Sequence, residues 1–237
     1  MTDVGKGWLM LDIHSHILPG VDDGAKSHRQ ALQMLAAARD AGIDILVATP
    51  HLKHLREDES RVSEAYFWLK PYAQAAGIRL LRGYEVSYRV LLDIPCSELG
   101  RYCITGTNLL LLELDSLHLF PQWNRVLGGL ERAGYELVIA HPERYVYIQE
   151  HPETIGKIRR YGCKIQINAH AYLKPPWNIE RRTAEKLIRN GWMDYIASDA
   201  HRPQDYRQIK AALKRLQGRL PSDYISQRNS FILSSSL

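Results

Sequence analysis

Apolar positions in this chain fall into short β-type runs separated by longer stretches of helical spacing. Leu9 to Ile13 is the first run; it ends in His14-Ser15-His16, and a Pro19-Gly20 turn follows with two adjacent carboxylates, Asp22 and Asp23. Ser27 is a candidate N-cap for a helix in which Ala31, Leu32, Leu35 and Ala38 share a face and Ala41-Gly42 ends the run. Ile43 to Thr49 reads as a strand, closed by Pro50 and followed at once by His51. A helix is expected over 57–76, kinked or shortened by Pro71 and stopped by Gly77. A strand over 78–81 runs on to Gly83-Tyr84-Glu85, whereas Val90 to Asn108, broken by Pro95 and Gly100, shows no clear period. Leu109 to Leu114 is continuously apolar except for Glu113, the pattern of a strand buried on both faces. Beyond it the pattern predicts a helix over 122–133, a strand over 137–140 running into His141, and a helix over 152–161 opened by Pro152. A strand over 164–168, a helix over 180–189, a strand over 195–197 leading into Ser198-Asp199-Ala200-His201, and a last helix over 203–216 complete the series.

Strand and helix therefore alternate about seven times, without an internal repeat or a linker. That order predicts parallel strands with helices outside, as a closed barrel or an open doubly wound sheet. A single domain over 1–237 is expected, with its core over about 9–217; the polar, Ser-rich tail over 218–237 has no assigned role. Histidines and carboxylates stand at the C-terminal ends of six strands: His14 and His16, His51, Glu85, Glu113, His141, and Asp199 with His201. A barrel gathers its chemistry from such strand ends, whereas an open sheet converges ligands only at its switch point, so closure is favoured.

Composition narrows the setting. With 45% hydrophobic and 24% charged residues the chain has the make-up of an ordinary globule. Its net charge of +5 favours anionic ligands, but the basic residues are scattered, which argues against nucleic acid. The three cysteines form no CxxC and suit a reducing, cytoplasmic compartment. No apolar h-region opens the chain and no run reaches the ~18 apolar residues of a membrane span, so no membrane insertion is expected.

Two imidazoles alternating out of one strand, with carboxylates in the next loop, suit the start of a metal site, and equally suit half-exposed histidines at a strand's mouth. Glu113 sharpens the choice, because an unpaired carboxylate inside a leucine run costs several kcal/mol to bury. A metal dication or an arginine would answer that cost, and the other strand ends supply imidazoles rather than guanidinium groups. A cysteine-dependent phosphatase is excluded, since none of the cysteines has an arginine six positions later, and no Walker A or GxGxxG sequence is present.

The ordered set His14-Ser-His16, Asp22-Asp23-Gly24, Ala48-Thr-Pro-His51, Gly83-Tyr-Glu85, His141-Pro-Glu-Arg-Tyr145 and Ser198-Asp-Ala-His201 resembles the PHP superfamily, named for polymerase and histidinol phosphatase domains. Within it, the opening segment and His141–Tyr145 resemble the manganese-dependent protein-tyrosine phosphatases of bacterial capsule and exopolysaccharide operons. The resemblance implies a distorted (β/α)7 TIM-like barrel holding three divalent metal ions, with Mn2+ expected and Fe or Zn as alternatives. It implies one metal on His14, His16, Glu85 and Asp199, a second on Glu113 and His141 bridged by Glu85, and a third on His51, His201 and Asp23, preferred over Asp22. Arg144, with Arg202 as second candidate, is implied to meet the phosphoryl oxygens. The implied partner is a phosphorylated tyrosine autokinase of polysaccharide export. The alternatives are a small-molecule phosphoesterase such as a histidinol-phosphate phosphatase, a nuclease, or a metal-depleted binding module. Leu52 stands where many members carry a second histidine, with His54 later; His170 and His118 read as surface residues.

Overall fold

The computed structural model describes residues 10–54 and 59–216. Strands β1 (Leu11–Ser15), β2 (Ile45–Ala48), β3 (His51–Leu52), β4 (Arg79–Arg82), β5 (Glu85–Ser87), β6 (Leu109–Glu113), β7 (Glu136–Ile139), β8 (Lys164–Asn168) and β9 (Tyr195–Ala197) all pair in parallel. They form a three-stranded sheet, β1-β2-β4, and a six-stranded one, β3-β5-β6-β7-β8-β9. The sheets are joined where β2 passes into β3 and β4 into β5: Gly83 N–H donates to Ala48 O (2.9 Å) and Glu85 N–H to Pro50 O (3.0 Å). At the far edge His16 N–H donates to Ala200 O and Asp199 N–H to His14 O, both at 2.9 Å, so the sheet curls until the end of β9 meets the end of β1.

Helices α1 (His28–Ala41), α2 (Glu59–Ala75), α3 (Tyr88–Leu91), α4 (Trp123–Arg132), α5 (Val146–Glu150), α6 (Glu153–Arg159), α7 (Ala169–Leu173), α8 (Ile179–Arg189) and α9 (Tyr206–Leu216) connect the strands. Ser27 caps α1 by accepting from Gln30 N–H, and Gly42 ends it at φ 86°, a left-handed turn open to glycine. Met34, not Leu32, joins Ala31, Leu35 and Ala38 on its buried face. Pro71 does not end α2: Val62, Tyr66, Leu69 and Ala73 keep one buried face across it, and that packing outweighs the lost N–H bond. The region without a legible period holds α3 and a 3-10 segment, Cys96–Tyr102. Two five-residue helices, α5 and α7, were not expected from the pattern. The expectation for residues 57 and 58 of the second helix, and that for the tail, lie outside the described residues.

Two apolar clusters divide the strand residues by their alternation. One holds Leu11, Ile13, Ile45, Val47, Leu81, Leu109, Leu111, Val138, Ala140, Tyr195 and Ala197 and takes no residue from a helix, so it fills the inside of the curl. The other joins the opposite strand faces to the helices. Counted along each strand, Glu85, Glu113 and Asp199 continue the inner face, as do the polar Gln166 and Asn168 of β8. The C-terminal rim of the curl is therefore polar and its waist apolar.

Candidate metal centre

β1 reaches the rim through a bulge. From Asp12 to Ser15 it spends three steps where β2 spends two, Leu46 to Ala48. That extra residue reverses the alternation, so His14 and His16 face inward beside Ile13, and Ser15 faces out to bond the Tyr206 hydroxyl (2.5 Å). His141 would by alternation follow Ala140 outward, but a left-handed backbone, φ 32°, turns it inward; Asp199 is left-handed too, at φ 50°. These are two of the three non-glycine residues with positive φ among the described residues, and strain of this kind concentrates at functional sites.

The inward groups converge. His14 Nε2 and His16 Nε2 lie 3.2 Å apart; Glu85 Oε2 stands 3.3 and 3.4 Å from them, and Asp199 Oδ1 3.4 and 3.3 Å. Next to this group, His51 Nδ1 is 2.8 Å from Glu85 Oε2, and Glu113 Oε2 is 4.0 Å from the same nitrogen. On the other side Asp23 Oδ1 lies 3.3 Å from both His51 Nε2 and His201 Nε2. His141 Nε2 reaches the second oxygen of Glu85, at 2.8 Å. Among the described residues, three groupings could hold a cation: His14, His16 and Glu85; His51, Glu85 and Glu113; and His16, Asp23, His51 and His201. The structure thus brings all nine residues of the implied ligand set to one rim, and places His16 beside the Asp23 group as well as beside His14.

Outer contacts fix which nitrogens carry lone pairs. His141 N–H and His14 Nδ1–H both donate to Gln166 Oε1, which leaves His14 Nε2 as the acceptor nitrogen of a neutral ring. His16 Nδ1 bonds Asp22 Oδ2 at 2.7 Å, and His201 Nδ1 bonds Asp199 O at 2.9 Å. In the neutral tautomers two lone pairs face each other across 3.2 Å with carboxylate oxygens alongside, and the buried atoms His51 Nδ1 and Glu85 Oε2, although 2.8 Å apart, form no hydrogen bond of proper geometry with each other or with another described group. Such an array is stable only around positive charge. Donors at about 2.1 Å from one cation lie about 3.3 Å from each other, which is the spacing found here. The nitrogen and oxygen donors, without thiolate, suit Mn, Fe or Zn.

Protonation tells the same story in reverse. Burial works against charge on His14, but Glu85 and Asp199 outweigh it and hold its pKa up at about 9. Burial likewise opposes charge on His16, and Asp199 and Asp22 raise its pKa well above the ordinary value. Glu85 and Asp199, despite burial, are held well below the carboxylate range, chiefly by His14. Asp22 falls to about 2: burial raises it, and the bond to His16 more than compensates. Without a metal, protons on these rings would take the place of a cation, so metal uptake would displace them.

Several groups that periodicity did not reveal hold this arrangement. Asp22 accepts from Gly24 N–H and His51 N–H while it orients His16. Asn168 and Arg144 both donate to Asp199 Oδ2, leaving Oδ1 for the histidines. Asp12, fully buried, accepts from Ser198 N–H, the Ser198 hydroxyl and His14 N–H, tying β1 to the end of β9; burial lifts its pKa to about 6. Glu143 accepts from Asn168 N–H, and burial pushes its pKa up to about 8.

Glu113, His141 and Arg144 also border a cavity of about 420 Å³, lined further by Tyr88, Arg89, Asp115 and Tyr145. Arg202 is exposed; its backbone N–H donates to Asp205, and its guanidinium makes no hydrogen bond or ion pair among the described residues. His118 is exposed, whereas His170 is half-buried rather than on the surface, and neither belongs to a metal-capable group among the described residues.

The sequence model of a family described as capsular polysaccharide synthesis, CpsB/CapC, matches residues 10–230. The CapC protein of Staphylococcus aureus is 32% identical over 198 residues, covering 81% of this chain and 77% of its own. The tyrosine-protein phosphatase YwqE of Bacillus subtilis is 28% identical over 196 residues, with the same coverage of each chain. A crystal structure described among those of YwqE and of CpsB from Streptococcus pneumoniae, as unique metal-dependent tyrosine phosphatases, matches with a TM-score of 0.82 at 26% identity, covering 93% of this chain and 92% of its own. A β-aspartyl dipeptidase of Fervidobacterium islandicum shares the fold alone, with a TM-score of 0.57 at 13% identity, covering 92% of this chain and 69% of its own. A match that takes in both the curled sheet and every residue of the rim makes this chain a member of the CpsB/CapC family.

Proposed function

We propose that this chain is a metal-dependent tyrosine-protein phosphatase, a cysteine-independent phosphoric monoester hydrolase. The observation that carries the reading is the meeting of His14 Nε2 and His16 Nε2 at 3.2 Å between Glu85 and Asp199, a geometry that calls for a cation. The family membership and the activity named for YwqE support the substrate class. In the finer form of the proposal, the fold is one domain built as a distorted (β/α)7 barrel, its seven strand lines being β1, β2 with β3, β4 with β5, and β6 to β9. Three divalent ions, Mn2+ by preference, are assigned to His14, His16, Glu85 and Asp199; to Glu113 and His141 with Glu85 shared; and to His51, His201 and Asp23, with His16 close by. The proposed substrate is a phosphorylated tyrosine autokinase of capsule or exopolysaccharide export, met in the cytoplasm; no helix among the described residues is long and apolar enough to cross a membrane.

Divalent ions, when held by these residues, would supply a lowered pKa for bound water and offset charge on phosphoryl oxygens. The chain's own residues supply the rest. Asp22, Gln166 and the Asp199 carbonyl set the tautomers of His16, His14 and His201, so each ring offers its Nε2 lone pair inward. Arg144, held by Asp199 and half-exposed at the cavity, offers a planar guanidinium to the non-bridging oxygens. Arg202 remains a second candidate for that role. A phenolate leaves with less need of a general acid than an alkoxide. The test is turnover of p-nitrophenyl phosphate and a phosphotyrosyl peptide by Mn2+-loaded protein, with loss on chelation. Hydrolysis of histidinol phosphate without any of the phosphotyrosyl peptide would overturn the reading in favour of a small-molecule phosphoesterase.

A further inference from the structure

Among the described residues, the cavity beside Glu113, His141 and Arg144 is lined by one tyrosine that is not fully buried, Tyr88. Tyr145 also lines it, but is only 2% exposed, and its hydroxyl is taken up by Ala140 O and Leu114 N–H. Tyr88, at the start of α3, is half-buried. Its ring stacks on buried Phe120, with centroids 5.1 Å apart and planes at 20°. Its hydroxyl donates to Asp115 Oδ2 (3.3 Å) and accepts from Arg89 Nε–H (3.1 Å). Asp115 is itself fixed: Oδ1 accepts from Leu117 and His118 N–H, and Oδ2 accepts from Arg89. The ring is therefore held at its back and at its tip, and a tyrosine so held loses little further freedom when a ligand lies on it.

We propose that Tyr88 is a specificity-determining residue: its ring is the wall on which an aryl phosphate lays its aromatic ring while the phosphate reaches Arg144, at the end of the cavity where Glu113 and His141 would hold a metal ion. This rests on the phosphotyrosine reading above and adds to it the group that separates aryl from alkyl esters. An alkyl phosphate meets the same charged end but has no π-face to place on the wall, so the charged residues alone discriminate poorly. The Arg89 guanidinium bonds the hydroxyl, lies over the ring 5.6 Å from its centroid, and is largely exposed.

The test compares two inert ligands, phenylphosphonate and methylphosphonate, titrated calorimetrically into Mn2+-loaded protein, beside steady-state kinetics on a phosphotyrosyl peptide. The wild-type chain is expected to prefer phenylphosphonate. Tyr88→Leu narrows that preference by about fivefold to tenfold, with methylphosphonate affinity held within about twofold. Its kcat/KM on the peptide falls by a similar factor. Tyr88→Phe keeps the ring and the preference. A phenyl-to-methyl ratio unchanged in folded, metal-loaded Tyr88→Leu overturns the proposal, and so does equal weakening of both ligands, which would mark Tyr88 as a purely structural support. If the wild-type chain fails on the phosphotyrosyl peptide, it is the activity reading that falls, because the binding ratio is read without turnover.

Discussion

At the scale of single residues, His16 is held through its ring and its backbone alike. Its Nδ1 is bonded by Asp22, its Nε2 faces His14, Glu85 and Asp199, its carbonyl accepts from Ala25 N–H and its own N–H donates to Ala200. Asp22 therefore matters through His16 and not through direct ligation in the proposed scheme. Asp22→Asn keeps the shape of that contact but removes its charge, and is expected to weaken Mn2+ binding about 10- to 100-fold, read by titration calorimetry. Affinity equal to wild type would confine Asp22 to shaping its loop. Arg144→Ala is expected to lower kcat by about 10²- to 10³-fold with metal content retained, measured by turnover and elemental analysis. Arg144→Lys restores the charge without the planar fork and should recover only part of that loss. The two adjacent carboxylates show what sequence alone leaves open here, since both follow the same turn. Only the folded loop puts Asp22 on the outer nitrogen of His16 and Asp23 beside His51 and His201.

At the scale of elements, the decisive device is the bulge in β1. Alternation correctly places His14 and His16 on one face, but without the extra residue that face would be the one opposite Leu11 and Ile13. The loop after β1 completes the device by packing directly against it. A Cβ added at Gly24 would stand 2.0 Å from His16 O and 2.4 Å from His16 Cβ, so backbone would have to move. Gly24→Ala is thus expected to cost about 1–3 kcal/mol and to displace the His16 ring. Thermal unfolding and metal content should fall together; a stable, fully loaded variant would show that the loop can give way. Elsewhere, local pattern finds β8 and β9 to the residue, because short buried strands between clear helices leave little choice. It misses α5 and α7 because five residues span little more than one turn, too few for a period to appear.

At the scale of the whole molecule, the rim is a concentration of charge that must be balanced for the chain to fold. Without metal, His14 has a pKa of about 9 in the folded state against about 6.5 unfolded, so the stability it contributes is complete below about pH 6.5 and is lost as pH climbs through about 9. Asp12 and Glu143, raised by burial to about 6 and about 8, lose stability in the same upward direction as each is forced to ionise. Asp22, Glu85 and Asp199 act at the acid end, where lowered pKa values give stability that disappears as pH falls below the carboxylate range, toward about 2 for Asp22. Chelated protein should therefore melt at a lower temperature at pH 9 than at pH 6.5. The Mn2+-loaded form should change less, since the cation takes the place of the protons on His14 and His16. Equal slopes in calorimetric scans of the two forms would refute that exchange.

By itself the sequence determined the order of the strands and the longer helices, the parallel α/β class, and the presence of imidazoles and carboxylates at successive strand ends, because periods of 2 and 3.6 residues are local and survive in a string of letters. The tertiary structure decided the rest. It set the inward face of β1, the left-handed turn that brings His141 in, and the pairing of Asp12 with Ser198, 186 residues apart, and of His14 with Gln166, 152 residues apart. Those contacts arise from curling the sheet until its last strand meets its first, and no local period carries a record of which residues that meeting brings together.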